Sequence, residues 1–82
     1  MIIGLMGFGT IGAGVYELAK SREDLTVRYV LDIRPLEIPE WTTRAEDLFE
    51  DAEVDTVIEV MGGLHPAYEF VTAALKAGKR RR

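Results

Sequence analysis

Apolar and polar positions follow two different periods along the chain. Three short apolar runs suit strands, and three longer stretches carry apolar residues three and four positions apart, as helices with one buried face do. The predicted strands cover residues 1–6, 27–32 and 55–61, and the predicted helices cover residues 10–21, 43–51 and 66–77. This βαβαβα order predicts a three-layer α/β fold with a parallel sheet in the order 3-2-1, because right-handed crossovers place successive strands side by side.

Local signals place the ends of these elements. Thr43 and Glu46 match a capping box at the start of the second helix. Pro35 and Pro39 disfavour a helix or a central strand in segment 33–42, which is therefore predicted to be a loop. The first helix is expected to face the core with four apolar residues, which are Ile11, Val15, Leu18 and Ala19.

A glycine-rich turn joins the first strand to the first helix. Gly7, Gly9 and Gly12 form the pattern Gly-x-Gly-x-x-Gly in the strand-to-helix setting that dinucleotide binding requires. The first glycine permits a tight turn, the second lets the backbone approach a pyrophosphate, and the third lets the helix pack closely on the strand. Free N–H groups at the helix start would then face the phosphates. The candidate binding residues in this turn are Gly7, Phe8, Gly9, Thr10, Ile11 and Gly12.

An acidic residue at the end of the second predicted strand strengthens this interpretation. Asp32 lies about 20 residues beyond Gly12 in the sequence. In dinucleotide-binding domains an acidic residue at this sequence separation accepts hydrogen bonds from the adenosine ribose. Arg34 follows two positions later, where a guanidinium can stack on adenine or reach a 2′-phosphate. NAD and NADP therefore both remain open as the cofactor.

A second glycine-containing turn ends the third predicted strand. Met61, Gly62 and Gly63 are expected at the same edge of the sheet as the first turn, because parallel strands all finish on the ligand side. Paired glycines there would let a cofactor lie on bare backbone, so these three residues complete the set of candidate binding residues.

Composition limits the possible functions. The 82 residues form at most one domain, and 48% hydrophobic with 29% charged residues is typical of a soluble globular protein. The net charge of −4 argues against a nucleic-acid partner, and the basic run 79–82 is interpreted as a solvated end. No metal site is expected, since the acidic residues Asp47, Glu50 and Asp51 have no histidine or cysteine among them.

The cellular setting follows from two further observations. The chain has no cysteine, which suits a cytoplasmic protein. No apolar run reaches membrane-spanning length, and the start of the chain lacks the basic leader of a signal peptide. A cytoplasmic location without a membrane partner is therefore expected.

Across nearly its whole length the chain resembles the N-terminal cofactor domain of homoserine dehydrogenase. The resemblance is carried by residues 4–15, by residues 54–63, by Pro66-Ala67 and by residues 73–79. It implies a Rossmann-like fold and NAD(P) as cofactor. It also implies that the parent activity is the reversible interconversion of aspartate semialdehyde and homoserine, which leads to threonine, methionine and isoleucine.

The resemblance also implies what the chain lacks. The family continues after Lys79 into a fourth strand, a Thr-Ala-Asn-Lys segment and a catalytic domain, whereas here three arginines follow. Residues 1–82 are thus expected to be a single, partial dinucleotide-binding domain with no catalytic residue. The first strand would then be an exposed apolar edge, and a homo-oligomer is expected either through this edge or in the parent enzyme. The alternatives are a non-catalytic nucleotide-binding or interaction module, or another amino-acid dehydrogenase such as aspartate dehydrogenase.

Overall fold

The computed structural model describes residues 1–60 and 79–81. Within these residues the elements, in chain order, are β1 (Ile2–Met6), α1 (Thr10–Lys20), β2 (Thr26–Leu31), β3 (Trp41–Thr42), α2 (Ala45–Glu50), β4 (Thr56–Glu59) and β5 (Arg80–Arg81). The strands form one parallel sheet in the order β3-β2-β1-β4-β5. The candidate residues Met61, Gly62 and Gly63 and the predicted helix 66–77 lie outside the described residues.

The predicted fold class is confirmed, since the chain forms a Rossmann-like α/β fold with a parallel sheet. β1 and β2 fall within one residue of the predicted strands, β4 lies inside the predicted strand 55–61, and α1 and α2 fall within the first two predicted helices. No helix in the described part of the chain is long and apolar enough to cross a membrane.

The sheet contains the strand order 3-2-1, but the strand beside β2 is not the segment that the sequence predicted. Trp41–Thr42, predicted to lie in a loop, pairs with the end of β2, while the predicted third strand lies on the other side of β1 as β4. Two backbone bonds hold β3 there, from Val30 N–H to the Glu40 carbonyl (2.8 Å) and from Asp32 N–H to the Thr42 carbonyl (3.2 Å). A two-residue strand has no alternation that a sequence pattern can reveal.

The prediction that the first strand has an exposed edge is therefore wrong. β1 pairs in parallel with β2 on one side and with β4 on the other. The pairing continues past its carboxyl end, where Gly7 N–H donates to the Leu31 carbonyl (2.8 Å) and Val60 N–H donates to the Met6 carbonyl (2.9 Å). Because both rows of its backbone groups are used, β1 offers no edge for self-association.

Each face of the sheet carries its own apolar core. On one face α1 packs through a cluster of buried side chains, namely Ile3, Leu5, Tyr16, Ala19, Val27 and Val30. On the other face α2 packs through Met6, Leu31, Leu48, Val54 and Val57. Gly4 lets α2 approach β1 closely, since a Cβ there would lie 2.8 Å from the Leu48 side chain. The three-layer arrangement expected from the sequence is thus present.

The buried face of α1 differs from the predicted stripe. Ala19 is buried and Val15 packs partly buried against the core, as predicted, but Ile11 and Leu18 are 70% and 54% exposed. Gly12 and Tyr16 are buried instead, and they follow helical spacing with Ala19. The rotation of α1 is set by the packing of Gly12 on the glycine turn, which is described below.

The start of α2 is capped differently from the prediction. Arg44, rather than Thr43, is the N-cap residue, and no side chain caps the helix from that position. Instead the Thr42 hydroxyl accepts the Arg44 N–H (3.0 Å) and donates to the Asp47 carboxylate. Leu48 is fully buried in the core.

The basic end of the chain is not a solvated terminus in the part the structure describes. Lys79 is only 8% exposed, and its Nζ donates to the carbonyls of Asp51 (2.7 Å) and Val54 (2.8 Å). The next two residues form β5, in register with Thr56 and Val57. Lys79 thus connects the start of β5 to the segment between α2 and β4.

We expect Lys79→Met to lower the free energy of unfolding by roughly 2 kcal/mol, because the ammonium bonds to two carbonyls are lost while the aliphatic stem is kept. Urea unfolding followed by circular dichroism measures the change. Lys20→Met is the control, since the Lys20 side chain is 57% exposed and its replacement should cost less than about 1 kcal/mol. Equal stabilities of the two variants would mean that the Lys79 bonds to the Asp51 and Val54 carbonyls do not stabilise the fold.

Candidate functional site

The carboxyl end of β1 is the point where the sheet changes its direction of winding. The chain runs from β1 to β2 on one side, and β4 pairs with β1 on the other. In parallel α/β sheets, ligands bind in the crevice outside the carboxyl ends of the strands at this switch point. The glycine turn after β1 lies there.

The turn is closed by a backbone contact between two of its glycines. Gly7 has a φ of 101°, a left-handed conformation that favours glycine. A Cβ on Gly12 would lie 2.2 Å from the carbonyl oxygen of Gly7 and 3.3 Å from Cγ2 of Val60. Only a residue without a side chain fits at position 12, so the first turn of α1 rests directly on the end of β1.

No described side chain caps the start of α1. Gly9 is the N-cap residue, none of the side chains in residues 1–60 and 79–81 is seen to bond to the first turn, and that turn contains no acidic residue. The N–H of Ala13 makes the bond to the Gly9 carbonyl (2.9 Å), so the N–H groups of Thr10, Ile11 and Gly12 precede the helical ladder. These donors, together with the helix dipole, suit an anion.

Gly9 leaves room in front of these donors. It is exposed, its φ of −79° is open to any residue, and no described atom lies within 4 Å of a Cβ placed on it. Gly9 and Gly12 therefore differ in kind, since the protein itself requires the absence of a side chain at Gly12 but not at Gly9.

Asp32 lies beside the turn, directly after β2, and its side chain is only 8% exposed. Its Oδ2 accepts the N–H of Phe8 (3.0 Å), which connects the carboxylate to the glycine turn. Its Oδ1 accepts the N–H of Arg34 (2.8 Å), which shapes the following loop. The carboxylate thus holds two backbone segments together at the sheet edge.

Arg34 covers the same carboxylate with its guanidinium. Nε donates to Oδ1 of Asp32 (3.1 Å), and Nη2 donates to Oδ2 (2.9 Å). Nη2 also donates to the Phe8 carbonyl (3.0 Å), so the arginine spans from the loop to the glycine turn. The Arg34 side chain is 61% exposed, so it lies between the buried Asp32 carboxylate and solvent.

These contacts lower the pKa of Asp32 to about 2. The hydrogen bonds from the Arg34 side chain are the largest cause, and they outweigh the burial of Asp32, which acts in the opposite direction. The backbone N–H groups of Arg34 and Phe8 add to the effect. Asp32 is therefore a carboxylate across the physiological range.

β3 supports the loop that carries Asp32 and Arg34. The indole N–H of Trp41 donates to the Asp32 carbonyl (3.0 Å), and the Thr42 carbonyl accepts the Asp32 N–H (3.2 Å). Trp41 thus anchors the loop. On the α1 face, Phe8 and Tyr16 meet edge to face at 5.5 Å, and the Tyr16 hydroxyl donates to Glu40 (2.7 Å).

The structure brings most of the described candidates together. Gly7, Phe8, Gly12, Asp32 and Arg34 form one connected unit, and Gly9 and Thr10 lie at its exposed rim. The side chain of Ile11 points away into solvent. The described residues include no group of three or more metal-ligating side chains.

The sequence did not reveal two parts of this unit. Nothing in it indicated that the backbone of Phe8 binds Asp32, because a backbone donor has no residue-type signal. The strand pairing of Thr42 with the end of β2 was also missed, because that segment was predicted to be a loop.

A parallel sheet with a glycine turn and an uncapped helix start at its switch point defines the class of Rossmann-like α/β domains. No family model matches the chain. The chain is 32% identical to the homoserine dehydrogenase of Bacillus subtilis over an alignment of 93 residues, and the match covers 94% of the chain and 22% of the relative. It is 37% identical to the homoserine dehydrogenase of Corynebacterium glutamicum, again over 94% of the chain and 21% of the relative.

A solved structure agrees with these relatives. The crystal structure of a homoserine dehydrogenase from Thiobacillus denitrificans superposes with a TM-score of 0.84 and 29% identity, covering 99% of the chain and 22% of that protein. The chain is therefore homologous to the N-terminal part of homoserine dehydrogenases, and the resemblance seen in the sequence is confirmed. It spans about a fifth of the length of the relatives it matches.

Gly12→Ala should lower the free energy of unfolding by about 3 kcal/mol, because the new methyl group overlaps the Gly7 carbonyl. Gly14→Ala is its matched control on the same helix. Gly14 is exposed and has no described atom near its Cβ position, so alanine should raise stability by up to about 1 kcal/mol. Thermal unfolding of both variants distinguishes close packing from helix propensity, and similar effects at the two positions would refute the close approach.

Removal of Arg34 should raise the pKa of Asp32. The folded-state pKa of about 2 lies below the ordinary 3.8, so the stabilisation from ionised Asp32 is complete above about pH 4 and is lost as the pH falls through 2. In Arg34→Ala this loss should begin at a pH about one unit higher, measured by the carboxyl ¹³C titration of Asp32.

Arg22→Ala is the control for this titration. Arg22 pairs with Asp24 through Nε (2.9 Å) and Nη2 (2.8 Å), a bidentate pair of the same two-residue spacing. The substitution removes one positive charge without touching Asp32, whose titration should be unchanged. An unchanged Asp32 titration in Arg34→Ala as well would mean that the backbone donors alone hold the pKa down.

Proposed function

We propose that the chain binds NAD or NADP at the carboxyl end of its sheet, as the cofactor-binding part of a homoserine dehydrogenase-like oxidoreductase. One observation carries the proposal. The start of α1 is held at the switch point by the contact between Gly7 and Gly12, and neither a capping side chain nor any other described atom occupies the space in front of Gly9. The homology to homoserine dehydrogenases supports the same assignment.

The proposed roles follow the geometry of the turn. The N–H groups of Thr10, Ile11 and Gly12 would hold the pyrophosphate, with Gly9 as the point of closest approach. Gly7 supplies the turn that aims these donors. The exposed side chain of Ile11 is compatible with this role, because only its backbone is used.

The adenosine side of the cofactor is assigned to the neighbouring loop. Asp32 and Arg34 lie at the end of β2, beside Phe8 of the glycine turn. For Met61, Gly62 and Gly63 the proposal rests on sequence alone, since they follow β4 at the strand end that borders the switch point.

The parent reaction is proposed from the same homology. NAD(P) supplies hydride transfer when bound, and the substrates would be aspartate semialdehyde and homoserine, as the relatives' name indicates for the second of them. Residues 1–82 are assigned the binding and orientation of the cofactor as a single domain, and no catalytic residue is assigned to them. A cytoplasmic location is proposed with this biosynthetic role.

Gly9→Ala tests the proposal without disturbing the fold. No described atom lies within 4 Å of the new methyl group, so stability should be preserved, but the methyl group would stand where the pyrophosphate approaches. We expect dinucleotide affinity to fall by about tenfold or more. Binding is measured by calorimetry and by the fluorescence of Trp41, the one tryptophan of the chain.

Gly14→Ala serves as the control, because it adds the same methyl group one turn further along α1. It should leave the affinity unchanged. The proposal is overturned if neither dinucleotide binds the unmodified chain at millimolar concentration, or if the two alanine variants bind equally well.

A further inference from the structure

A cavity of about 180 Å³ lies between the second half of α1 and the start of β2. No described residue that lines it belongs to the glycine turn or to the pair of Asp32 and Arg34. A water molecule takes up about 30 Å³ in the liquid, so the cavity has room for roughly six waters or for one small organic molecule. The proposed dinucleotide site does not use this space.

The ring of Tyr16 forms part of the cavity wall and lies between two opposite charges. The ammonium group of Lys20 stands over the ring, 4.5 Å from its centre. The hydroxyl at the end of the same ring donates to Oε1 of Glu40 (2.7 Å). A cation at the face of the ring and an anion at its hydroxyl thus line one cavity.

Glu40 is held in place from two directions. Its carbonyl accepts the N–H of Val30 (2.8 Å), and its carboxylate accepts the Tyr16 hydroxyl. Burial, and then Glu40, raise the pKa of Tyr16 to about 12, so the hydroxyl remains a donor. A carboxylate offers about four acceptor positions, of which the phenol takes one. Glu40 can therefore also accept from the ammonium group of a ligand.

Lys20 can receive the opposite charge. Its ammonium group lies 3.7 Å from Glu17, and the two side chains are 57% and 71% exposed. An ion pair this exposed contributes little, and an ammonium group has three donors, so Lys20 can also bind a carboxylate in the cavity. Ala19, Leu25 and Val27 add apolar surface to the lining, which suits a short aliphatic side chain.

We propose that this cavity binds a small zwitterion, namely an α-amino acid with a short aliphatic side chain. The carboxylate of the ligand pairs with Lys20, its ammonium group pairs with Glu40, and its side chain lies against the apolar lining. A ligand with one charge gains only one of the two charged contacts, so recognition requires both. The proposal goes beyond dinucleotide binding and does not depend on it.

L-Valine is the probe, and two analogues each lack one of its charges. Isobutylamine lacks the carboxylate, and isovalerate lacks the ammonium group. We expect L-valine to shift the backbone amide resonances of Ala19, Val27 and Glu40 in NMR spectra, with a dissociation constant in the millimolar range. Each analogue should bind at least about fivefold more weakly. The proposal is overturned if about 50 mM L-valine shifts none of these resonances, or if either analogue binds as well as L-valine.

Two variants of the full chain test the assigned contacts. Glu40→Gln keeps an acceptor for the Tyr16 hydroxyl, and Lys20→Met keeps the aliphatic stem, so both should fold, as circular dichroism checks. Each should weaken L-valine binding by about fivefold or more. Glu37→Gln and Arg22→Met remove the same charges at exposed positions outside the cavity, and they should leave the dissociation constant unchanged. Equal effects of the cavity variants and their controls would overturn the proposal, because net charge would then account for the binding.

Discussion

The contact between Gly12 and the carbonyl of Gly7 is the constraint on which the rest of the structure depends. It brings the first turn of α1 onto the end of β1 with no side chain between them. Because the helix is fixed at that point, its rotation is fixed as well, and Tyr16 and Ala19 become the residues that enter the core. A single backbone contact thus decides both which face of α1 is buried and where its free N–H groups point.

Asp32 makes the second connection at this edge, by electrostatics rather than packing. A carboxylate this buried needs donors, and it obtains them from the glycine turn and from the loop after β2. Those bonds favour the ionised carboxylate and so lower the pKa of Asp32. The proposed ribose ligand is therefore also a structural residue, and any ligand that uses it must respect the bonds that hold the loop in place.

The sequence predicted the parts of the fold that have strong periodic or motif signals. The sequence located β1, α1 and β2 to within one residue, and it placed Asp32 beside the glycine turn, where the structure has it. The predictions failed where tertiary contacts outweigh local pattern. β3 has only two residues, too few for a pattern. The buried face of α1 is set by the packing of Gly12 rather than by the apolar residues Ile11 and Leu18. The pairing of β4 with β1 depends on the packing of the complete sheet, which no local pattern records.

Lys79 has a consequence for how the edge of the sheet opens. α2 has no basic residue in its last turn, and the positive charge near its end comes instead from a lysine that is 28 positions away in the sequence. Fraying of the end of α2 would break the ammonium bond to the Asp51 carbonyl, and detachment of β5 would break the bonds to both carbonyls. The bond between Lys79 and Asp51 therefore couples these two motions.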